Sequence, residues 1–180
     1  MERILFSLRP DDAAAEDVGR TLNEVCRETG LGGQPQQLDR LHVTVNGVGD
    51  HAGFPDDIVQ LARNAGSRVR FAPFEVRLDR IGSYSAGRRP CDLIMLEGDA
   101  GVLDIVRLQR ALAAEMARCG LGKYVRRSLF TPHMSVLYRA RPLAPRRVGA
   151  IRWTARKLLL IHSELGRTRH HLLGEWPLSA

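Results

Sequence analysis

Two short segments of the 180-residue chain, Leu41-His42-Val43-Thr44-Val45 and Pro132-His133-Met134-Ser135-Val136, repeat one pattern: a His, a spacer, a hydroxyl residue and a Val. Equivalent positions of the two motifs stand ninety-one residues apart. Gly30-Leu31-Gly32 recurs as Gly120-Leu121-Gly122, ninety residues on, and Cys26 has a counterpart in Cys119. Each half then reads in the same order: strand, helix, Gly-Leu-Gly stop, loop, motif strand. A duplicated βαβ-type unit is the reading this agreement supports, and it constrains the fold far more than either triplet alone. Side chains on a strand point alternately to opposite faces. His42 and Thr44 therefore share one face and Val43 and Val45 the other, with the same division at His133 and Ser135. If the halves pack about a pseudo-twofold axis, the motif strands lie side by side and both histidines face one cleft.

The rest of the chain fits that frame. Residues 3–8 alternate as a first strand, and Pro10-Asp11-Asp12 signals a helix start. The helix runs over about 12–29, with Val18, Leu22, Val25 and Cys26 at helical spacing, and ends at Gly30. The first motif strand is expected at about 40–47, a loop at 51–55 and a short helix over 55–64. Phe74, Val76 and Leu78 alternate with charged residues as a half-buried strand. A turn at 82–90 separates it from a strand at 92–97, after which a helix covers 102–118. The second motif strand falls at 133–138. Strands at 155–164 and 170–176 close the chain, with a weaker one near 148–153.

Apolar content of 44% and charged content of 26% fit a globular chain and exclude disorder or a collagen-like repeat. No apolar run approaches the ~18 residues of a membrane span. The N-terminal apolar stretch is too short for a signal peptide, so a cytoplasmic protein is expected. Cys26, Cys91 and Cys119 form no Cys-x-x-Cys pair and read as buried free thiols. The net charge of +7 is uneven: residues 1–117 carry 14 Lys and Arg against 18 Asp and Glu, residues 118–180 carry 13 against 2. Such a surface attracts polyanions, and its arginines suit bidentate phosphate contacts.

Two histidines across a cleft suit general acid–base chemistry near neutral pH, one removing a proton while the other supplies one. The hydroxyls of Thr44 and Ser135 beside them can hold non-bridging phosphate oxygens. Together the four make a set able to cleave a phosphodiester. No third His, Asp or Glu stands at matched spacing, so no metal site is expected. His51 reads as a loop residue, and His162, His170 and His171 as structural or solvated, because they lie outside the repeat. Trp153 and Trp176 read as core.

With these residues in view, the sequence resembles the two-histidine (2H) phosphoesterase superfamily, in particular its LigT-like branch of RNA 2′,3′-cyclic phosphodiesterases, the 2′-5′ RNA ligase family. The resemblance is carried by the opening strand Arg3 to Pro10, by Leu41 to Val45, by Phe130-Thr131-Pro132-His133-Met134-Ser135-Val136, and by Leu158 to Leu165 with its late Ser163-Glu164 pair. It implies an α+β fold that is bilobal, with antiparallel sheets lining a V-shaped central cleft. One domain of residues 1–180 is expected, its lobe-forming halves roughly 1–85 and 86–180, with termini that can cross between lobes. The implied activity is hydrolysis of a 2′,3′-cyclic phosphate RNA end to a 2′-phosphomonoester, with His42 as proton donor, His133 as proton acceptor and Thr44 and Ser135 on the phosphate. No cofactor is implied; the partners are RNA ends or small cyclic-phosphate nucleotides, and a monomer is expected. Other readings are 2′-5′ RNA ligation, cleavage of a 2′-5′ linkage, or a non-catalytic RNA- or phosphate-binding module.

Three positions depart from the family's pattern. Ser135 stands where Thr is commonest, keeping the hydroxyl but losing the methyl that restricts its rotamer. Gly47 replaces a usual aromatic five residues after the first His, removing a base-stacking platform. Tyr138 occupies the position of a common Arg, with Arg139 one further on and expected on the opposite strand face. Tyr138 is a candidate to stack a base or ribose, and Lys123, Arg126 and Arg127, in the loop before the second motif, are candidates to meet an RNA backbone.

Overall fold

The fold is described from a computed structural model over residues 1–83, 93–125, 130–167 and 169–179. In chain order these residues form β1 (Glu2–Leu8), α1 (Asp12–Thr29), β2 (Gln34–Pro35), β3 (Val43–His51), α2 (Asp56–Arg68) and β4 (Phe74–Ser83). Then come β5 (Leu93–Glu97), α3 (Leu103–Arg118), β6 (His133–Tyr138), β7 (Arg146–Ala155), β8 (Lys157–Glu164) and β9 (Arg169–Pro177).

Local chemistry explains why α1 matches the predicted bounds. The Asp11 carboxylate accepts from the Ala14 N–H at 2.9 Å, a cap of about 1 kcal/mol. Val18, Leu22 and Val25 bury one face, and Gly30 at φ 65° supplies the left-handed residue that ends the helix. Where prediction and structure differ, a short-range rule has given way to pairing. β3 begins at Val43 because Leu38–Arg40 coil into a 3₁₀ turn, and it runs on to His51 because β1 pairs with it that far. The weak strand near 148–153 is the ten-residue β7, held along β4.

All strand pairs are antiparallel, in the order β7-β4-β5-β6-β3-β1-β8-β9, with β2 paired to β6. Two four-stranded segments thus meet where β6 lies beside β3, and the motif strands are neighbours at the centre. β1 and β3 run antiparallel, so each repeat is a strand-helix-strand unit without the parallel pairing of a true βαβ crossover. Halves of the sequence do not map onto halves of the sheet. β4 joins the segment built from β5, β6 and β7, whereas β8 and β9 return to β1. Only Arg156 separates β7 from β8, and at that residue the chain passes from one segment to the other.

The helices cover one face, α1 against β7, α3 against β3, and α2 against β8, β9 and α3. Beneath them one core takes Ile4, Phe6, Leu8, Val43, Val45, Leu96, Met134, Val136 and Trp153, with Cys26, Cys119 and Trp176 partly buried against it. Cys91 lies outside the described residues. On the other face of the sheet Leu5, Leu159 and Ile161 form a small separate apolar cluster. Among the described residues no helix is long and apolar enough to cross a membrane.

Candidate active site

The β3–β6 contact is narrow, a single ladder pair between Val43 and Met134, both with no solvent exposure. Continuing that antiparallel register by one residue each way sets His42 opposite Ser135 and Thr44 opposite His133. Directly opposed side chains stand with Cβ atoms about 4.5–5.5 Å apart. All four are half-buried and lie on the face away from the helices, with their spacer residues in the core. The two motifs therefore form one four-residue patch, as the duplication predicts.

The histidines are held alike. His42 Nδ1–H donates to the Arg40 carbonyl at 2.8 Å, and His133 Nδ1–H donates to the Thr131 carbonyl at 2.9 Å. A carbonyl only accepts, so Nδ1 carries the hydrogen in both rings. In the neutral form the lone pair is then on Nε2, the atom able to take or return a proton. Residues 40 and 131 are again ninety-one apart, so the orienting bond is part of the repeat.

The repeat also extends to a β-bulge. Along β1, Phe6 pairs with Asn46 and Ser7 with Thr44, skipping Val45; along β5, Ile94 pairs with Leu137 and Met95 with Ser135, skipping Val136. An extra residue reverses the alternation beyond it. Tyr138, an odd number of residues from His133, consequently emerges on the histidine face, 37% exposed, where Gln36 Nε2 donates to its hydroxyl at 3.3 Å. Gly47 is its counterpart after the first bulge, and an added Cβ there meets nothing within 4 Å. Arg139 follows at φ 54°, where β6 has ended. Lys123 is exposed, its Nζ 4.9 Å from the centre of the Tyr124 ring. Arg126 and Arg127 lie outside the described residues.

Electrostatically the two sides differ. The β1–β3 register, Ser7 to Thr44 and Leu8 to Val43, brings Arg9 opposite His42, while on the other side Glu97 pairs with His133. Burial pushes the His42 imidazole below the ordinary histidine range, the bond to the Arg40 carbonyl opposes this, and the charges of Arg9, Arg40 and His133 add to the lowering. Glu97 is held by Arg80, Nη2 to Oε2 at 3.6 Å.

His170, assigned above to a structural or solvated role, is at the site. Its ring centroid is 5.4 Å from that of His42, the planes at 70°, and Arg40 Nη2 donates to its Nε2 at 3.2 Å. Burial, then the charges of His42, Arg40, Arg9 and His171, push His170 down to about 3, so it is neutral at pH 7. Sequence spacing gives no hint of this. Residue 170 is on β9, three strands from β3, and it pairs toward the end of β1 remote from Arg9. Twist of roughly 20–25° per strand accumulates across β3, β1, β8 and β9 and lifts diagonal corners of the sheet toward each other. Arg40, two residues before His42, could have been found by the alternation rule; Arg9 required the register. His162 and His171 pair instead with Glu2 and Glu164, and His51 with the Val48 carbonyl.

Among the described residues no group of three or more His, Cys, Asp or Glu is arranged to hold a metal ion.

An antiparallel sheet with a duplicated strand-helix-strand unit, carrying two His-x-hydroxyl motifs side by side, is the arrangement expected of the two-histidine class. Residues 10–167 match the model of the 2′-5′ RNA ligase superfamily, and the chain belongs to that family. Solved structures of similar fold include a phosphoesterase (20% identical, all of both chains covered, TM-score 0.73). A Thermus thermophilus protein is also similar (20%, 98% of this chain and 97% of that one, TM-score 0.75), as is E. coli LigT crystallised with ATP (20%, 99% of each chain, TM-score 0.75). No match was found among curated proteins. Family and fold together support an enzyme of phosphoesterase or ligase type.

Proposed function

We propose that the chain hydrolyses 2′,3′-cyclic phosphate ends of RNA to 2′-phosphomonoesters without a metal. The observation that carries this reading is the matched pair of imidazoles. Each has Nδ1–H tied to the carbonyl two residues back, and both lie on the face that Thr44 and Ser135 share. Water attacks phosphorus as His133 Nε2 takes its proton; the P–O3′ bond breaks as His42 Nε2–H protonates the leaving oxygen. The hydroxyls of Thr44 and Ser135 donate to the non-bridging oxygens, where charge grows in the transition state. Burial disfavours the charged form of His42 in the empty site, so its donor role relies on the bound phosphate's negative charge to favour that form again. Tyr138, on the same face, offers its ring to the base or ribose of the terminal nucleotide. Lys123, Arg126 and Arg127 are assigned to the RNA backbone on their charge. Both histidines come from one chain, so a monomer suffices.

E. coli LigT, of similar fold, has been crystallised with ATP, 3′-AMP and NADP+, in keeping with a nucleotide-sized ligand here. Incubation of EDTA-treated protein with a cyclic-phosphate oligonucleotide tests the proposal by product identity. A 2′-phosphate end at undiminished rate is expected. Formation of a 2′-5′ linkage between ends would favour ligation, and tight binding without turnover would favour a binding module.

A further inference from the structure

Next to His42 opens a cavity of about 310 Å³, at the lower end of the usual range for small-ligand sites. Arg9, Arg40, Arg169 and His170 line it, with Asp39 as the carboxylate among its described lining residues. Three donors on the residues that line it are buried without a hydrogen-bond partner: Arg9 Nε, Arg40 Nε and His170 Nδ1. Buried donors in folded proteins are nearly always satisfied. The Asp39 carboxylate does not satisfy them, since neither Arg9 nor Arg40 forms an ion pair with any described residue. Because Arg40 donates to Nε2 of His170, the His170 hydrogen is on Nδ1, so all three orphaned atoms call for an acceptor. Several donors, three guanidinium groups against one carboxylate and a cavity of this size together select an oxyanion. The ring of His170 is 5.4 Å from that of His42, so an anion bound there would lie within one residue's reach of His42.

We infer that Arg9, Arg40 and His170 form a subsite for a second phosphate of the substrate, adjacent to the phosphate on which His42 and His133 act. The inference rests on that reading of the histidine pair and deepens it. The enzyme's substrate is then a nucleotide carrying two phosphates, and a lone cyclic mononucleotide leaves the subsite empty. The second phosphate is either the internucleotide diester of an RNA end or a 5′-monophosphate on the terminal nucleoside. Arg169, exposed at the cavity's edge, draws the anion in.

Equilibrium binding of reaction products separates this from the catalytic claim, because it needs no turnover. Three ligands are compared: a nucleoside 2′-phosphate, a nucleoside 2′,5′-bisphosphate, and a dinucleotide ending in a 2′-phosphate. At least tenfold tighter binding is expected for one or both of the ligands with a second phosphate, and whichever gains identifies the phosphate's source. The gain should shrink with added salt. In Arg9→Met and Arg40→Lys it should fall to twofold or less, with thermal unfolding of each variant checked against wild type. Should one variant fail to fold, the other carries the comparison, and the wild-type ratio alone still decides. Equal binding of all three ligands by wild type would overturn the subsite. Turnover of cyclic phosphate with equal binding defeats the subsite alone, whereas a tenfold preference in a protein without turnover defeats only the catalytic reading.

Discussion

The two motif sides of this protein share a backbone and differ in charge. Both place a histidine at the edge of the same strand pair, both tie Nδ1 to the carbonyl two residues back, and both carry a bulge one residue beyond the hydroxyl. Yet Arg9 stands opposite His42, Glu97 opposite His133, and Arg40 corresponds to Thr131. A displacement of the partner strand explains the first difference. β5 pairs with β6 three residues out of step with the way β1 pairs with β3, and the 3₁₀ turn Ala100–Val102 takes up those three residues before α3. The repeat thus keeps the two Nε2 atoms in equivalent positions, while the surrounding charges differ, in keeping with the separate tasks proposed for the two histidines.

Breaking the shared part should cost most. His42→Ala and His133→Ala should each lower kcat by at least 10², the scale of a lost general acid or base. Both side chains are half-buried on the open face, so far-UV circular dichroism and thermal unfolding should stay close to wild type. A spacer substitution should do the reverse. Met134→Ala removes a fully buried side chain and should destabilise the fold by about 2–5 kcal/mol in urea unfolding. Thr44→Val and Ser135→Ala each remove one phosphate donor and should slow kcat about tenfold, roughly 1.4 kcal/mol. A loss at Thr44 alone would show that the sides had diverged further than their geometry suggests.

The divergent part predicts a pH signature. The His42 pKa is lowered in the empty protein, and as donor it must be protonated. The alkaline limb of kcat/KM, which reports free enzyme, should therefore fall below pH ~6.5, the unperturbed histidine value. The alkaline limb of kcat should lie higher, because bound phosphate raises His42 again. If His42 is instead the acceptor, its ionisation appears on the acid limb. The smallest expected effect comes from the face beyond the bulges. Gly47→Phe should be tolerated, since its Cβ has open space, and by mirroring Tyr138 it should lower KM for an oligonucleotide by two- to fivefold.

Much of this was legible in the sequence. The alternation rule put His42 with Thr44 and His133 with Ser135, and the 12–29 helix followed from Asp11, the apolar spacing and Gly30. Tyr138 was legible as a residue but not as a neighbour of the histidines, because a bulge has no signature in a Val-Leu pair such as Val136-Leu137. β8 shows a related limit. Leu158 and Leu160 belong to the main core and Leu159 and Ile161 to the cluster on the opposite face or its edge, so the strand is buried on both faces and shows no alternation to mark where β7 stops. His170 is the residue furthest beyond sequence reasoning, since its approach to His42 is a property of the whole twisted sheet.

Turnover of a cyclic-phosphate oligonucleotide by His42→Ala, His133→Ala and the double variant, all treated with EDTA, tests most directly whether the two rings serve one phosphate. Groups acting as a unit are non-additive. Each single variant should lose at least 10², and the double variant little more than either. A single variant with wild-type turnover, or losses that multiply in the double, would contradict a shared site.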